Sequence, residues 1–378
     1  MNVLLVAEYF SYPSVDGRSA RSARTVGLLL SQGISVTVLC AESGDIEPVP
    51  GLVVLNAGPD KIGLRQVPLK LLGIADGRVG LIARLLEQLA TTPGVEAPDL
   101  VITSSAPYEV HAVGFYLKQA YNMCWVAEFR DGWTTNPVRS TKRITATERW
   151  LERRVLSRAD LVLFNTVGQA ALALAQVGVP TKWAVSRNGV PPPTTHPLPK
   201  PQVRSGPLRL GYFGGLRGYA AERNGLNALV RAADLGEMDI SLEVFGPRRD
   251  WVTKDHNLQK LVKFRGELPS SELRKAAAGC DAMVLFLNPG PRSAGWVQQK
   301  TYDYVAAEIP VLAVGDGSEE ALDILATRAR VRCVPVGASA KTLCSALDEL
   351  LDPASTHPEL GQVTIERTHA ELIALLRR

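Results

Sequence analysis

Short apolar runs, rich in aliphatic and β-branched residues, recur along the chain between longer segments with helical periodicity. In the first half they lie at Val3–Ala7, Val36–Cys40, Val53–Asn56, Leu100–Ser104, Trp125–Phe129 and Leu161–Phe164. In the second half they lie at Leu208–Phe213, Leu242–Phe245, Val262–Phe264, Ala282–Leu287, Pro310–Val314 and Val331–Val334. Continuous apolarity, rather than alternation, predicts parallel strands that helices cover on both faces. The pattern therefore predicts a doubly wound α/β fold.

A proline-rich stretch interrupts this rhythm near the middle of the chain. Between Pro180 and Pro207 lie eight of the chain's 25 prolines, and proline neither donates to a strand ladder nor continues a helix. The interruption predicts two lobes joined by a stiff linker. The predicted parts are an N-terminal lobe at 1–185, a linker at 186–207, a C-terminal lobe at 208–355 and a closing helix at 356–378.

Composition excludes several classes of protein. The chain has 378 residues, of which 46% are hydrophobic and 21% charged, and a formal net charge of +4. These values are typical of a folded protein with two domains, and the absence of a long basic run argues against nucleic-acid binding. The five cysteines are odd in number and never spaced C-x-x-C. We therefore expect reduced core residues rather than disulfides or a zinc site.

The first ten residues, MNVLLVAEYF, lack a basic start and contain Glu8. They are predicted to form a first strand rather than a signal peptide. Because no uncharged apolar stretch reaches the length of a spanning helix, we expect a cytoplasmic protein, with the inner face of the membrane as a further place of action.

Basic and apolar residues interleave between Lys61 and Arg84. Such a mixture is found in segments that rest on an anionic bilayer, here beside a lipid-linked acceptor. More often it forms an acceptor lid or an ordinary helix facing its own core, and Val79–Leu89 has the spacing of a core helix. Peripheral membrane contact is therefore one of three interpretations of this segment.

The loops after each lobe's first strand are the first candidates for a site, because doubly wound folds bind ligands at the carboxyl ends of their strands. In the N-terminal lobe this loop ends at Gly17 and Arg18, and in the C-terminal lobe it spans Gly214–Gly218. The helix after the second loop is expected to begin at about Asn224. Glycines let a ligand approach the backbone, and a following helix N-terminus favours phosphate. Neither loop matches G-x-G-x-x-G. Each is therefore either a tight turn or a phosphate cradle.

A charged cluster follows the apolar strand Trp125–Phe129. Glu128, Arg130 and Asp131 occur there within four residues, and charge at the end of a buried strand is costly unless it is paired or functional. Asp131 is predicted to orient an acceptor hydroxyl, with Arg130 as its partner or as a phosphate contact. The alternative is a structural Arg–Asp pair that shapes the loop.

Several short motifs occur in a particular order along almost the whole chain. They are Ser104–Tyr108, Trp125–Trp133, Ala159–Asn165 and Asn188–Val190, followed by Gly211–Leu216, Phe264–Gly266, Gly279–Asp281, Lys300–Tyr304 and Ile309–Val311. In this order they resemble the landmarks of bacterial family 4 (group 1) glycosyltransferases. The resemblance implies the GT-B fold, in which two Rossmann-like lobes face a central cleft. It also implies a nucleotide-sugar donor, a hydroxyl acceptor and retention of anomeric configuration, with a UDP-sugar as the expected donor.

The resemblance assigns the donor ribose to Asp303, whose carboxylate can accept both vicinal hydroxyls. The alternative is a surface Asp. The family's commoner second acid, eight residues earlier, is Gly295 here, so the Lys-x-x-acid pattern of Lys300 and Asp303 fits better. The loop at 288–296 is the candidate for sugar contacts, although Arg292 there is equally an ordinary surface side chain.

The family's arginine at the diphosphate is replaced by Gly215, which leaves Arg217 and Arg223 as substitutes or as solvated side chains. The full donor-binding set is Gly17, Gly214, Gly215, Arg217, Arg223, Glu267, Leu268, Arg292, Ser293, Gly295, Lys300 and Asp303. Acceptor-binding candidates are Tyr108, His111 and Trp133, with packing at a helix start as the alternative for His111. Asp131 and Arg130 are the catalytic candidates.

Motifs that the sequence lacks exclude further classes of enzyme. The chain has no D-x-D, which argues against a metal-dependent GT-A enzyme, so neither a metal nor a cofactor is expected, the nucleotide-sugar being a substrate. P-loop, zinc-hydrolase and serine-hydrolase motifs are absent as well. Three alternatives remain: a nucleotide-sugar epimerase, a bilobal solute-binding protein and an inactive pseudo-glycosyltransferase partner. For the transferase, both envelope-polysaccharide and secondary-metabolite biosynthesis fit.

Overall fold

The computed structural model describes residues 1–14, 18–58, 79–92, 98–137, 139, 144–177, 182–189, 206–234, 238–268 and 270–352. The chain divides into two compact units between Asn188 and Gly189. Gly17, most of the segment between Lys61 and Arg84, most of the proline-rich stretch and the expected closing helix lie outside the described residues.

The first unit contains a seven-stranded parallel sheet in the order β3-β2-β1-β4-β5-β6-β7. Its strands are β1 Asn2–Tyr12, β2 Ser35–Ile46, β3 Leu52–Asn56, β4 Leu100–Ser105, β5 Cys124–Phe129, β6 Leu161–Phe164 and β7 Trp183–Val185. Its described helices are α1 Ala20–Ser31, α2 Val79–Thr91, α3 Val110–Tyr121, α4 Ala146–Arg158 and α5 Val167–Val177. The six expected strands are present, and β7 is an additional one.

Residues of β1 show why these strands read as continuously apolar. Leu4 and Val6 belong to the core on one face of the sheet, whereas Val3 and Leu5 belong to the core on the other face. Side chains alternate between the faces of a strand, and here both faces are buried. Helix α3 approaches its sheet closely: a β-carbon at Gly114 would lie 2.1 Å from Trp125 Nε1.

The second unit contains a six-stranded parallel sheet in the order β10-β9-β8-β11-β12-β13. Its strands are β8 Leu208–Phe213, β9 Ile240–Phe245, β10 Val262–Phe264, β11 Ala282–Phe286, β12 Val311–Val314 and β13 Val331–Val334. Its helices are α6 Ala220–Asp234, α7 Asp250–Thr253, α8 His256–Leu261, α9 Ser270–Ala277, α10 Gln299–Ala307, α11 Glu319–Ala326 and α12 Ala340–Leu351, with a 3-10 turn at Pro291–Ser293.

Two details correct the expectations from sequence. Helix α6 begins at Ala220 rather than near Asn224, because Glu222 accepts hydrogen bonds from the amides of Gly218 and Tyr219 and so stabilises an earlier start. Cys333 is exposed because β13 is an edge strand, whereas Cys40 and Cys344 are buried as expected.

Each sheet has one place where the strand order reverses, between β1 and β4 in the first unit and between β8 and β11 in the second. Ligands of open α/β sheets bind in the crevice at such a switch point. The candidate ligand positions therefore lie after β1, β4 and β5 in one unit and after β8 and β11 in the other. None of the described helices is both long and apolar enough to cross a bilayer.

Candidate functional site

The crevice of the second unit opens where β8 and β11 part. These strands pair only through Leu210 with Ala282 and Gly211 with Met283. Beyond that point the Tyr304 hydroxyl bridges them, accepting from the Phe213 amide at 3.0 Å and donating to the Val284 carbonyl at 3.2 Å. Burial raises the pKa of Tyr304, so its proton stays available for this bridge.

Lys300 reaches the end of β8 from the first turns of α10. Its Nζ donates to the Tyr212 hydroxyl at 2.5 Å, and that hydroxyl donates to Glu222 at 2.9 Å. A β-carbon at Gly214 would lie 3.8 Å from Lys300 Nζ. Burial lowers the pKa of Lys300 to about 7, although the charges of Glu222 and Asp303 oppose that shift. The arrangement holds one titratable cation beside the glycine turn.

The loop after β8, Gly214–Gly218, is a tight turn at its two ends. Gly214 has a φ of 100° and Gly218 a φ of 82°, a region that favours glycine. The two amides just before α6 are not open to a ligand, because Glu222 already accepts from Gly218 at 2.6 Å and from Tyr219 at 3.1 Å. The expected phosphate cradle therefore loses two of its donors to a residue of the same helix.

The two arginines expected to replace the family's diphosphate arginine are placed differently. Arg223 is exposed, donates from Nε to the Gly218 carbonyl at 3.0 Å and lies 4.4 Å from the Trp251 ring centre. Arg217 is exposed, and its charge contributes to the lowered pKa of Lys300. Arg217 thus lies near the site, whereas Arg223 is engaged by its own turn.

Asp303 lies on α10 one turn after Lys300, where residues three apart are neighbours on the helix surface. It is half-buried, and its charge raises the pKa of Lys300. The structure therefore places together the two residues of the Lys-x-x-acid pattern.

The loop before α10 is fixed by hydrogen bonds to its neighbours. The buried Ser293 donates from Oγ to the Pro289 carbonyl at 3.2 Å, and Gln298 donates from Nε2 to the Phe286 carbonyl at 2.6 Å. Arg292 and Gly295 are both half-buried. The loop thus has a defined conformation at the end of β11, and the Ser293 hydroxyl proton is used within it.

Glu267 and Leu268 follow β10, at the outer edge of the sheet. Glu267 is exposed and Leu268 half-buried. Just before them Gly266 has a φ of 90°, and Arg265 forms an ion pair with Glu243 of β9. These contacts shape the turn after β10; two strands separate it from the crevice between β8 and β11.

A buried polar network occupies the crevice of the first unit. Arg21 of α1, 2% exposed, donates from Nε and Nη2 to Glu128 Oε1 at 2.8 and 2.7 Å. Ser104, near the end of β4, donates to the other carboxylate oxygen at 2.6 Å. Arg21 also donates to Asn188 Oδ1 at 3.1 Å. One buried ion pair therefore joins α1, β4, β5 and Asn188, the residue before the division between the units.

Arg130 and Asp131 follow Glu128 at the end of β5. Arg130 donates from Nη1 to the Arg18 carbonyl at 2.9 Å, which ties this loop to the loop after β1. Asp131 is half-buried, and no described group donates a hydrogen bond to its carboxylate. Burial raises the pKa of Asp131 and the charge of Arg130 opposes the shift. A carboxylate without a protein donor is suited to accept from a hydroxyl.

Tyr108 and Trp133 form a wall beside Asp131. Their rings stack with centres 5.0 Å apart and planes 2° apart, and Tyr108 donates to the Gly132 carbonyl at 2.5 Å. The indole Nε1 of Trp133 is buried and has no partner among the described residues. Gly132 is required, because a β-carbon there would lie 2.2 Å from Thr135 Oγ1. The two aromatic candidates are therefore brought together.

His111 is fully buried at the start of α3. Its Nδ1 lies 2.8 Å from Thr103 Oγ1, which also accepts from Trp125 Nε1 at 2.8 Å, and its ring packs on Phe129 at 4.5 Å. Burial lowers the pKa of His111 to about 3. The structure thus favours the alternative of a neutral packing residue over an acceptor contact.

Sequence reasoning missed two arginines near these crevices. Arg21 is in a run of small residues on α1, and the only signal for it is that Glu128, within a buried strand, needs a cation. Arg249, after β9, lies against Gly215, 34 positions away in sequence. In the part of the chain that the structure describes, no three His, Cys, Asp or Glu side chains cluster so as to hold a metal ion.

Comparisons with known proteins give a family match for the first unit and a structural similarity for the whole chain. Residues 17–189 match the model of the glycosyl transferase 4-like domain. No curated protein sequence matches the chain. Among solved structures, sucrose-phosphate synthase from Thermosynechococcus elongatus is similar over 100% of this chain and 98% of its own, with a TM-score of 0.70 and 15% identity.

Two further structures bear on ligands. Anabaena HepE in complex with UDP has a TM-score of 0.61 and 15% identity, over 99% of this chain and 100% of its own. A Listeria monocytogenes protein assigned as a UDP-N-acetylglucosamine 2-epimerase has a TM-score of 0.54 and 12% identity, over 100% and 96%. At these identities the structures establish the fold alone. The expected resemblance is confirmed over residues 17–189, which match the glycosyl transferase 4-like domain, and the chain as a whole has the fold of these structures.

Proposed function

We propose that the protein transfers a sugar from a nucleoside-diphosphate donor, with UDP as the expected nucleotide, to a hydroxyl acceptor with retention of configuration. The single observation that carries the proposal is the pairing of Lys300 and Asp303 beside the crevice between β8 and β11. Lys300 offers a cation next to Gly214, and Asp303 offers a carboxylate one turn further on. A cation for phosphate and an acid for ribose are the groups that a nucleotide-sugar requires.

The first unit supplies the acceptor side in this proposal. Asp131 has no donor among the described groups. Trp133 follows it by two residues, and Tyr108, which stacks on Trp133, is close enough for the Asp131 charge to raise its pKa. Aromatic faces pack against the apolar faces of sugars, and a carboxylate orients a hydroxyl by accepting its hydrogen bond. These residues position the acceptor rather than activate it covalently.

The proposed transfer balances without an enzymic nucleophile. The bond between the anomeric carbon and the β-phosphate oxygen breaks, and the nucleoside diphosphate leaves with the electron pair. The acceptor oxygen forms the new bond on the same face, and its proton passes to the departing phosphate oxygen. Cations beside the diphosphate stabilise the negative charge that grows there.

A panel of nucleotide-sugars tests the activity directly. Slow donor hydrolysis without acceptor is measured for UDP-, GDP-, ADP- and dTDP-sugars, with and without excess EDTA. We expect release of one nucleoside diphosphate in both conditions, because cationic side chains take the part of a metal. Binding without turnover would instead support an inactive partner protein.

Asp303→Ala tests whether the pair of Lys300 and Asp303 binds the nucleotide. Because hydrogen bonds to a charged group are lost, nucleoside-diphosphate affinity measured by calorimetry should fall by about 10- to 100-fold. Asp323→Ala, which removes an exposed acid of α11, is the matched control and should bind normally. Unchanged affinity in Asp303→Ala would remove this residue from the site.

An epimerase of the same architecture is the second candidate, favoured by the Listeria structure. It needs acid–base groups at the sugar C2. Of the histidines within the described ranges, His111 is fully buried and His256 lies at the start of α8. Appearance of the C2 epimer from a UDP-sugar, without sugar transfer, would establish this alternative.

For the transferase, the pathway we propose is envelope-polysaccharide or secondary-metabolite biosynthesis.

A further inference from the structure

The loop after β9 brings a guanidinium to the position that Gly215 leaves empty. A β-carbon built on Gly215 would lie 3.0 Å from Arg249 Nη2 and 3.5 Å from Cγ of Pro247. The φ of Gly215 lies outside the region that favours glycine, so the backbone does not demand glycine there. The Arg249 guanidinium therefore lies in contact with the place that a side chain at position 215 would begin to occupy.

The approach of the two loops is fixed by backbone contacts. The Gly214 amide donates to the Phe245 carbonyl at 2.9 Å, which continues the ladder between β8 and β9. A β-carbon at Gly246 would lie 2.3 Å from the Gly214 carbonyl oxygen, so only glycine permits this approach. Pro247 then stiffens the turn. The backbone of the loop after β9 therefore places Arg249 close to the glycine turn.

Among the residues that the structure describes, Arg249 has no hydrogen-bond or ion-pair partner. It is half-buried, its Nε is inaccessible and unpartnered, and no described carboxylate lies within ion-pair distance. A buried donor without an acceptor costs free energy. By contrast Arg265, 16 residues later, is paired with Glu243. Arg249 is thus a half-buried cation beside the glycine turn whose Nε has no hydrogen-bond partner among the described residues.

Lys300 lies near the same turn. Its Nζ would lie 3.8 Å from a β-carbon at Gly214, as Arg249 Nη2 would lie 3.0 Å from one at Gly215. Two cations therefore flank two adjacent glycines whose backbone a ligand can approach. Two cations beside adjacent glycines suit a diphosphate, because a guanidinium and an ammonium can each bind one phosphoryl group.

We infer that Arg249 binds the diphosphate of the donor, supplying from the neighbouring loop the guanidinium that residue 215 lacks. This inference rests on the proposed function and deepens it. It assigns the role expected of Arg217 or Arg223 to a residue after β9. The substitution of Gly215 and the presence of Arg249 form one arrangement, since a side chain at 215 would occupy the place of the guanidinium.

The test compares UDP with uridine, which lacks the diphosphate. In Arg249→Ala we expect UDP affinity by calorimetry to fall about 10- to 100-fold, while uridine affinity, measured by ligand NMR, stays unchanged. Arg249→Gln, which keeps most of the side chain's volume, should show the same loss. Arg248→Ala removes the adjacent exposed arginine and is the matched control, with both affinities within twofold of the wild type.

A second test moves the guanidinium from position 249 to position 215 and measures whether UDP affinity returns. Gly215→Arg combined with Arg249→Ala should recover at least half of the lost UDP affinity on a logarithmic scale, because the guanidinium returns from the other loop. Equal UDP affinity in Arg249→Ala and the wild type would overturn the inference, as would equal losses for UDP and uridine, which would indicate a structural role. If the wild type binds none of UDP, GDP, ADP or dTDP, the proposed function fails instead.

Discussion

At the scale of single residues, Lys300 shows how burial converts a lysine into a group that titrates near neutrality. Its pKa is lowered to about 7 by burial beside Tyr212. Below that pH the free enzyme carries the cation that a diphosphate needs, and above it the ammonium has lost its proton. Binding of UDP above pH 7 must therefore take up a proton.

The first prediction concerns this proton. Between pH 7 and 9 the affinity for UDP should fall by up to tenfold per pH unit, and calorimetry in buffers of different ionisation enthalpy should show uptake of up to one proton. Lys300→Arg, which stays protonated, should flatten the profile. A wild-type affinity independent of pH, with no proton uptake, would contradict the role of Lys300.

Asp131 carries the second prediction. Asp131→Asn keeps the shape of the side chain but halves its capacity to accept hydrogen bonds, so the acceptor hydroxyl is oriented less well. Turnover should fall by about 10²-fold or more, with nucleotide affinity unchanged because Asp131 lies in the other unit. Asp160→Asn, which alters an acid paired with Lys118, is the control. A normal rate in Asp131→Asn would leave Asp131 with a structural role.

At the scale of secondary-structure elements, the buried Arg21–Glu128 pair joins α1 to β5. Its side chains are 2% and 3% exposed. Removing one partner leaves the other charge buried and uncompensated, which costs about 3–5 kcal/mol. The pair therefore constrains where α1 begins relative to the ends of β4 and β5, and with it the loop that carries Arg130.

The third prediction follows from this pair. Glu128→Gln should lower the free energy of unfolding of the first unit by about 3 kcal/mol, measured by denaturant titration. Glu349→Gln, in the exposed pair with Arg332 whose side chains are 45% and 59% exposed, should cost less than about 1 kcal/mol. Equal effects of the two variants would show that the buried pair contributes no more than a surface one.

Elements also show what the sequence can predict. Twelve strands follow from continuous apolar runs, because both faces of a parallel sheet are buried. Strand β7 is missed, since Trp183–Val185 has only three residues and borders a proline-rich stretch, which gives no periodicity to detect. The candidate site is predicted where a motif holds its residues together, as with Lys300 and Asp303. Arg249 is missed because only the folded chain brings β9's loop to Gly215.

At the scale of the whole molecule, two units of similar architecture carry different chemistry at equivalent places. The first fills its switch point with a neutralised ion pair and leaves the Asp131 carboxylate open. The second lines its switch point with cations, Lys300 and Arg249, beside bare glycines. In the proposed transfer, Asp131 accepts a hydrogen bond from the acceptor hydroxyl, and Lys300 and Arg249 bind the diphosphate.

The last prediction is stereochemical. A double displacement would need a carboxylate to attack the anomeric carbon, but the position where the family's commoner form has an acid at the sugar is Gly295, which has no side chain. Retention then relies on attack from the face that the diphosphate leaves, with the phosphate oxygen accepting the proton. We expect an α-linked product from an α-linked donor, read from anomeric coupling constants by NMR. A β-linked product would overturn the mechanism while leaving the donor site intact.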